Sequence, residues 1–202
     1  MAEAVTLPNN FVTVFHTITT DLDIETPWPK PENYVPKDAK EAILIWGGAS
    51  SVGQYALQIL QYYGYTNLIA VASKKNHRKL KCLGAKWLFD YNDPHVVSSI
   101  LNTGAAQSLT GAKPGIPRIL DCIGSQKGSV EPLSKIAKCG SKVAILLPVI
   151  IRDSSETEEP IYEMDAEKVA NWGDGVEVIG VRTHFYLDVS GHGWYNKWRI
   201  KY

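Results

Sequence analysis

A glycine-rich turn between a buried strand and a helix is the feature that most constrains the fold of this chain. The run Ala42–Trp46 is wholly apolar, which is typical of a strand buried on both faces of a parallel sheet. Gly47–Gly53 follows directly, and apolar residues then recur at helical spacing over Ser51–Tyr63, until Gly64 ends the helix. This order of strand, glycine turn and helix is typical of a βαβ unit that binds a dinucleotide.

The residues of this turn have predicted roles if a pyrophosphate lies at the start of the helix. Gly48 takes the tight turn that a side chain would obstruct, and Gly53 lets the helix pack closely on the strand. The backbone N–H groups that would face the pyrophosphate belong to Ala49, Ser50, Ser51 and Val52. Ser50 stands where the usual G-x-G-x-x-G pattern has its second glycine, so it leaves less room but offers a hydroxyl. An ordinary strand-to-helix turn with no ligand is the alternative.

The end of the second predicted strand carries cations where NAD-binding sheets usually carry an acid. Such an acid lies about 20 residues beyond the glycines and binds the ribose 2′-hydroxyl. Here no Asp or Glu occurs from Gln54 to Phe89. A hydroxyl and several cations suit a 2′-phosphate instead, so NADPH is the predicted cofactor. The residues expected to hold that phosphate are Ser73, Lys74, Lys75 and Arg78. A basic, solvated helix face is the alternative.

Strands and helices alternate along the rest of the chain, which predicts an α/β fold with a doubly wound, Rossmann-like parallel sheet of six strands. The other strands are predicted at Leu68–Ala72, Trp87–Phe89, Arg118–Ile123, Lys142–Leu147 and Val176–Val181. The other helices are predicted at Asn76–Leu83, Pro94–Leu101 and Val130–Ala137. Asn102–Pro117 is predicted to be a loop, and Val149–Gly175 an acidic loop with one short helix.

Composition divides the chain into three predicted parts. Residues 1–40 form an N-terminal helix and a proline-rich connector, because apolar residues at helical spacing precede four prolines between Pro27 and Lys37. Residues 41–187 form the dinucleotide-binding domain. Residues 188–202 form a divergent tail for which the sequence suggests no structure.

Charge and cysteine usage narrow the classes of partner. The 21 Lys and Arg balance 21 Asp and Glu, which argues against nucleic acid and against an anionic membrane. No apolar run approaches the roughly 20 residues of a membrane-spanning helix, and no secretory signal is evident. The three cysteines form no CxxC pair and the five histidines are scattered. We therefore expect reduced thiols, no metal site and a cytoplasmic location.

The sequence resembles the medium-chain dehydrogenase/reductase superfamily, and most closely its zinc-independent, fungal enoyl-reductase-like members. The segments that carry the resemblance are Trp46–Ala56, Leu7–Thr13, Leu83–Ala85, Phe89–Tyr91 and Asp121–Gly124. The resemblance implies NADPH-dependent hydride transfer to an activated alkene or carbonyl of a small-molecule substrate. It also implies that Tyr91 lies near the adenosine end of the cofactor, Ile123 along the nicotinamide ribose and Thr13 near the nicotinamide.

Two departures from that family leave the activity open. Family members begin with a separate barrel-like domain that supplies much of the substrate site, whereas this chain starts after it and diverges beyond about Leu187. We therefore expect the NADPH-binding half of a reductase, with no catalytic residue identified and with self-association at the exposed domain junction. The alternative is a non-catalytic NADPH-binding module or a partner-dependent fragment. A short-chain reductase is disfavoured, because no tyrosine has a lysine four residues later.

Overall fold

The computed structural model describes residues 7–106 and 113–182, within which eight strands form two sheets. The strands are β1 (Ile43–Trp46), β2 (Leu68–Val71), β3 (Trp87–Phe89), β4 (Arg118–Asp121), β5 (Lys142–Leu146), β6 (Val149–Arg152), β7 (Ile161–Glu163) and β8 (Glu177–Val181). Six of them are parallel, in the order β3-β2-β1-β4-β5-β8. This sheet confirms the predicted doubly wound, Rossmann-like fold.

Five α-helices accompany the strands in the described ranges. They are α1 (Leu7–His16), α2 (Ser51–Tyr63), α3 (His77–Cys82), α4 (Val96–Leu101) and α5 (Glu131–Ile136). Single turns of 3₁₀-helix lie at Lys74–Asn76, Gly104–Ala106 and Ala166–Val169, and π-helical turns at Thr17–Asp21 and Gln126–Val130. None of the helices in these ranges is long and apolar enough to cross a membrane.

Alternate residues of each central strand are buried on opposite faces of the sheet. Ile43 and Ile45 of β1 pack with α1, α2 and α3, whereas Leu44 and Trp46 pack with α4 and α5. Each of these four side chains is at most 2% exposed. The fully apolar composition of β1 therefore has a simple cause, since helices cover the sheet on both sides.

The N-terminal segment packs into the same core as the sheet. Val14 and Ile18 are fully buried against α2, in the core cluster that also contains Ile43 of β1. The connector is held by tyrosines near the end of α2, because the Tyr63 hydroxyl donates to Pro27 O and the Tyr65 hydroxyl donates to Glu25 O. The helix and connector thus form part of one face of the domain.

The acidic segment between β5 and β8 is more structured than the sequence predicted. We expected a loop with one short helix over Val149–Gly175, but it contains the antiparallel pair β6–β7 before the 3₁₀ turn at Ala166–Val169. Both strands are short and partly exposed, and the pairing shifts register between Ile150 and Arg152. Strands this short lack the long alternation of apolar and polar residues from which a strand is predicted.

Several predicted elements are shortened at their ends. The strand predicted over Arg118–Ile123 ends at Asp121, because the Asp121 carboxylate accepts hydrogen bonds from the next two free N–H groups and turns the chain. The helix predicted over Val130–Ala137 begins with a π-helical turn, so its α-helical part is α5. The predicted tail 188–202 lies outside the described residues, as do residues 183–187 and residues 107–112 of the predicted loop.

Candidate dinucleotide-binding site

The glycine turn lies at the carboxyl end of β1 and is held against β2 by backbone hydrogen bonds. The N–H groups of Gly47 and Gly48 both donate to Val71 O, each at 3.0 Å. The Ser50 hydroxyl then caps α2 by accepting a hydrogen bond from Gly53 N at 3.0 Å. Serine is a preferred residue at this position because its oxygen satisfies an N–H group that the first helical turn leaves free.

Three glycines of the turn meet different steric constraints. Gly47 has a φ of +79°, which side chains rarely adopt, so the left-handed turn is at Gly47 and not at Gly48 as expected. A Cβ on Gly48 would lie 3.1 Å from the Ala70 Cβ on β2. A Cβ on Gly53 would lie 2.6 Å from Gly47 O, so the helix meets the turn backbone to backbone. Sequence reasoning missed Gly47, although its place directly after the strand was a signal.

Three of the four backbone N–H groups predicted to face a pyrophosphate have no partner among the described residues. They belong to Ala49, Ser51 and Val52, whereas Ser50 N donates to Gly47 O at 2.9 Å. Ser51 and Val52 open a helix of 13 residues, whose first turn has no intrahelical acceptors for these groups. The turn therefore presents a set of free donors at the positive end of a helix dipole, which favours an anion.

Helix α1 reaches the turn through Asn10 rather than through Thr13. The Asn10 side-chain amide donates to the Ser51 hydroxyl at 2.9 Å, and the Phe11 ring packs edge-on against Tyr55 of α2. Thr13 is 7% exposed, and its hydroxyl donates to Asn9 O at 2.8 Å, one turn earlier in its own helix. The Thr13 hydroxyl is thus satisfied locally, and its predicted place near a nicotinamide stays a prediction.

The residues predicted to hold a 2′-phosphate lie together after β2. Ser73 is half-buried, and its hydroxyl accepts a hydrogen bond from the Asn76 side chain at 2.9 Å. Three basic side chains of this group are exposed and form no ion pair with any described residue: Lys74, Lys75 and Arg78. Their positive charges are therefore available to an anion bound at the carboxyl end of β2.

An acid that the sequence argument did not consider lies beside these cations. Asp90 directly follows β3, and its carboxylate accepts hydrogen bonds from Lys74 N at 3.3 Å and from Asn92 N at 3.0 Å. The Asn92 side chain also donates to this carboxylate, at 2.9 Å. The hydrogen bond from Asn92 N, helped by the other two, holds the pKa of Asp90 below its usual value. Tyr91, the next residue, is 51% exposed.

A buried carboxylate organises the turn after β4. Asp121 is fully buried, accepts hydrogen bonds from Ile123 N at 2.9 Å and Gly124 N at 3.3 Å, and accepts another from the Ser129 hydroxyl at 2.6 Å. Burial raises the pKa of Asp121 to about 6, although the hydrogen bonds from Ser129, Ile123 and Gly124 oppose the rise. The turn so formed presents Ile123, which is 45% exposed and whose side chain lies against Gly47.

The cysteine of this turn is poorly suited to acid–base chemistry. Burial raises the pKa of the Cys122 thiol far above its usual value, and the charge of Asp121 raises it further. A hydrogen bond with Ser50 only partly opposes this effect. A thiol in this state is a weak proton donor near neutral pH and does not form the thiolate that a nucleophile needs.

The predicted site residues outside α1 follow consecutive strands at one edge of the sheet. The glycine turn follows β1, Ser73 follows β2, Tyr91 follows β3 and Ile123 follows β4. Because these strands are parallel and adjacent, their carboxyl ends meet at the same edge, which is where doubly wound sheets bind ligands. A separate cleft of about 330 Å³ between β7 and β8 is lined by none of these residues. No group of three His, Cys, Asp or Glu side chains within the described ranges is arranged to hold a metal ion.

The chain is similar in sequence to fungal trans-enoyl reductases. It is 47% identical over 74 residues to the trans-enoyl reductase tazE of Aspergillus terreus, covering 37% of this chain and 24% of that protein. It is 33% identical over 155 residues to the trans-enoyl reductase himH of Aspergillus japonicus, covering 75% of this chain and 39% of that protein. No protein-family model matches the chain. The chain spans about a third of the length of the curated relatives it matches.

Solved structures of reductases share its fold. The CurK enoyl reductase superimposes with a TM-score of 0.63 at 17% identity, over 93% of this chain and 46% of that one. The quinone oxidoreductase from Coxiella burnetii superimposes with a TM-score of 0.59 at 20% identity, over 90% of this chain and 44% of that one. The sequence relatives and the shared sheet agree with the resemblance noted from the motifs. The chain is thus similar in sequence to part of these trans-enoyl reductases, and in fold it is similar to about half of each of these two solved structures.

Proposed function

We propose that this chain is the NADPH-binding part of a reductase that transfers hydride to an activated alkene or carbonyl of a small molecule. The observation that carries the proposal is the start of α2, where three N–H groups in and after a glycine turn at the sheet edge have no partner among the described residues. The sequence relatives named trans-enoyl reductases support the reaction class. NADPH supplies the hydride chemistry when bound, while the protein provides binding and orientation.

The described residues at the carboxyl ends of β1 and β2 support such a ligand. The N–H groups of Ala49, Ser51 and Val52 have no partner among the described residues and can bind the diphosphate. Gly48 has no side chain that could cover them. Lys74, Lys75 and Arg78 form no ion pair with any described residue, so they can bind a 2′-phosphate. We assign Tyr91 to the adenosine end and Ile123 to the nicotinamide ribose, following the family resemblance.

A preference for NADPH over NADH is the first consequence to test. Titrating each cofactor into the chain, with cofactor fluorescence as the readout, should give tighter binding of NADPH. Replacing Ser73 by Asp should weaken NADPH binding by about 1–3 kcal/mol, because a carboxylate repels the 2′-phosphate that the hydroxyl would bind. Ser155→Asp, on the exposed turn between β6 and β7, is the matched control and should bind like the wild type. Equal affinities for the two cofactors would contradict the assignment.

Turnover by this chain alone should be slow or undetectable. Hydride transfer requires the acceptor carbon to lie close to the nicotinamide with water excluded, and small misplacements cost on the order of a hundredfold in rate. The family resemblance assigns the wall of the substrate cleft opposite the nicotinamide to a barrel-like domain. Self-association at the junction with that domain stays a prediction. An NADPH-oxidation assay against enones, quinones and enoyl thioesters tests the point, with cofactor binding measured separately. Saturable turnover with any of these would show that the chain builds a complete site.

A further inference from the structure

The carboxyl ends of β2 and β3 bring an acid to the place where the sequence predicted only cations. Val71 pairs with Phe89 in the parallel ladder, and Ala72 N donates to Phe89 O at 3.0 Å. Asp90 directly follows Phe89 at the end of β3, whereas Ser73 lies two residues beyond Val71 at the end of β2. The Asp90 carboxylate therefore lies at the sheet edge beside the segment that carries the proposed 2′-phosphate site.

The contacts of Asp90 orient one carboxylate oxygen toward this segment. One oxygen accepts two hydrogen bonds from Asn92, through its backbone N–H at 3.0 Å and its side chain at 2.9 Å. The other oxygen accepts only the long hydrogen bond from Lys74 N, at 3.3 Å, among the described residues. Asn92 thus holds the carboxylate in place, and the second oxygen keeps its negative charge against the backbone of Lys74.

This arrangement has a direct consequence for an anion bound after β2. A backbone N–H at that position is a natural donor to a 2′-phosphate, and Asp90 already occupies it. A phosphate there would have to share the donor and would meet a like charge a few ångströms away. A ribose 2′-hydroxyl carries no charge and meets no such repulsion.

We propose that Asp90 is a specificity-determining residue that lowers the preference of this site for NADPH over NADH. The inference rests on the proposed function, since it concerns the ribose end of the same dinucleotide. Lys74, Lys75 and Arg78 still exceed Asp90 in charge, so NADPH remains the preferred cofactor. Asp90 reduces the margin of that preference and leaves NADH a usable ligand.

The test is Asp90→Asn, which removes the charge but keeps an oxygen that can accept the hydrogen bond from Asn92 N. Like charges a few ångströms apart at an exposed site repel by an energy equivalent to roughly a tenfold change in a binding constant. NADPH should therefore bind the variant about tenfold more tightly, while the affinity for NADH stays within about twofold. The gain should shrink as salt is raised from low to physiological concentration, because the repulsion is screened. A purely structural role would show no such salt dependence.

The matched control is Asp93→Asn in the same loop. Asp93 is exposed, and its carboxylate accepts a hydrogen bond from His95 N, away from β2. This variant should keep the wild-type affinities for both cofactors. If Asp90→Asn loses affinity equally for both cofactors, Asp90 has only a structural role, and the inference is overturned while the proposed function stands. An unchanged ratio of the NADPH and NADH affinities would overturn the inference in the same way. A wild-type chain that binds neither cofactor would instead overturn the proposed function, and the inference with it.

Discussion

The buried Asp121 carboxylate should make the stability of this protein depend on pH in a direction that can be checked with one substitution. Asp121 is fully buried, and burial raises its pKa to about 6 from an ordinary value of 3.8. A raised pKa means that the folded protein holds the proton more tightly than the unfolded chain. The resulting stabilisation is fully present below about pH 3.8 and is lost as pH rises through about 6.

The size of the effect follows from these two pKa values. Over the whole range, the difference between about 6 and 3.8 corresponds to about 3 kcal/mol of unfolding free energy. Between about pH 7.5 and pH 4.5, linkage gives about 2 kcal/mol, since the group is almost wholly ionised in the folded protein at the first pH and mostly protonated at the second. Relative to a variant that cannot ionise, the wild type should therefore gain about 2 kcal/mol on acidification.

Asp121→Asn is that variant, because its amide keeps an oxygen for Ile123 N and a donor for the Ser129 hydroxyl. Urea denaturation followed by tryptophan fluorescence should be measured at both pH values for the wild type and the variant. Comparing the two proteins at each pH cancels the titration of all other groups. Asp153→Asn, at an exposed site, controls for the chemical change and should track the wild type. A wild-type advantage that is the same at both pH values would refute the assignment of the raised pKa to Asp121.

Three further predictions follow from the glycine turn. Gly53→Ala should lower the free energy of unfolding by about 1–3 kcal/mol, because its Cβ would lie 2.6 Å from Gly47 O. Gly173→Ala is the control and should leave the free energy of unfolding unchanged, because its Cβ would meet nothing within 4 Å. Equal urea midpoints for the two variants would contradict this prediction. Gly47→Ala should cost about 1–2 kcal/mol in the same assay, because alanine is strained at a φ of +79°. Gly48→Val should abolish NADPH binding in a titration while circular dichroism shows the chain folded, and a variant that binds like its parent would exclude this turn as the phosphate site.

The amino-acid sequence was sufficient to predict the strand, turn and helix that begin the nucleotide-binding fold. The predicted helix Ser51–Tyr63 has the same bounds as α2, and Gly64 ends it at a φ of +98°. The strand predicted at Trp87–Phe89 is also confirmed. These features depend on residues that are close in sequence, such as apolar periodicity and a glycine where the backbone turns left-handed, so a local pattern is enough to predict them.

The parts that only the tertiary structure decided depend on contacts between distant segments. The pairing of β6 with β7 depends on two short strands meeting across an acidic segment, with no strong periodicity in either. No local sequence pattern predicts that Asp121 is buried. Its carboxylate organises the turn after β4 by accepting hydrogen bonds from Ile123 N and from the Ser129 hydroxyl. Asp90 lies one residue beyond the stretch that the sequence argument searched, and it meets Lys74 only because β2 and β3 are neighbours in the sheet. Sequence periodicity predicts which residues form a strand, whereas the order of strands in the sheet decides which of their ends share a site.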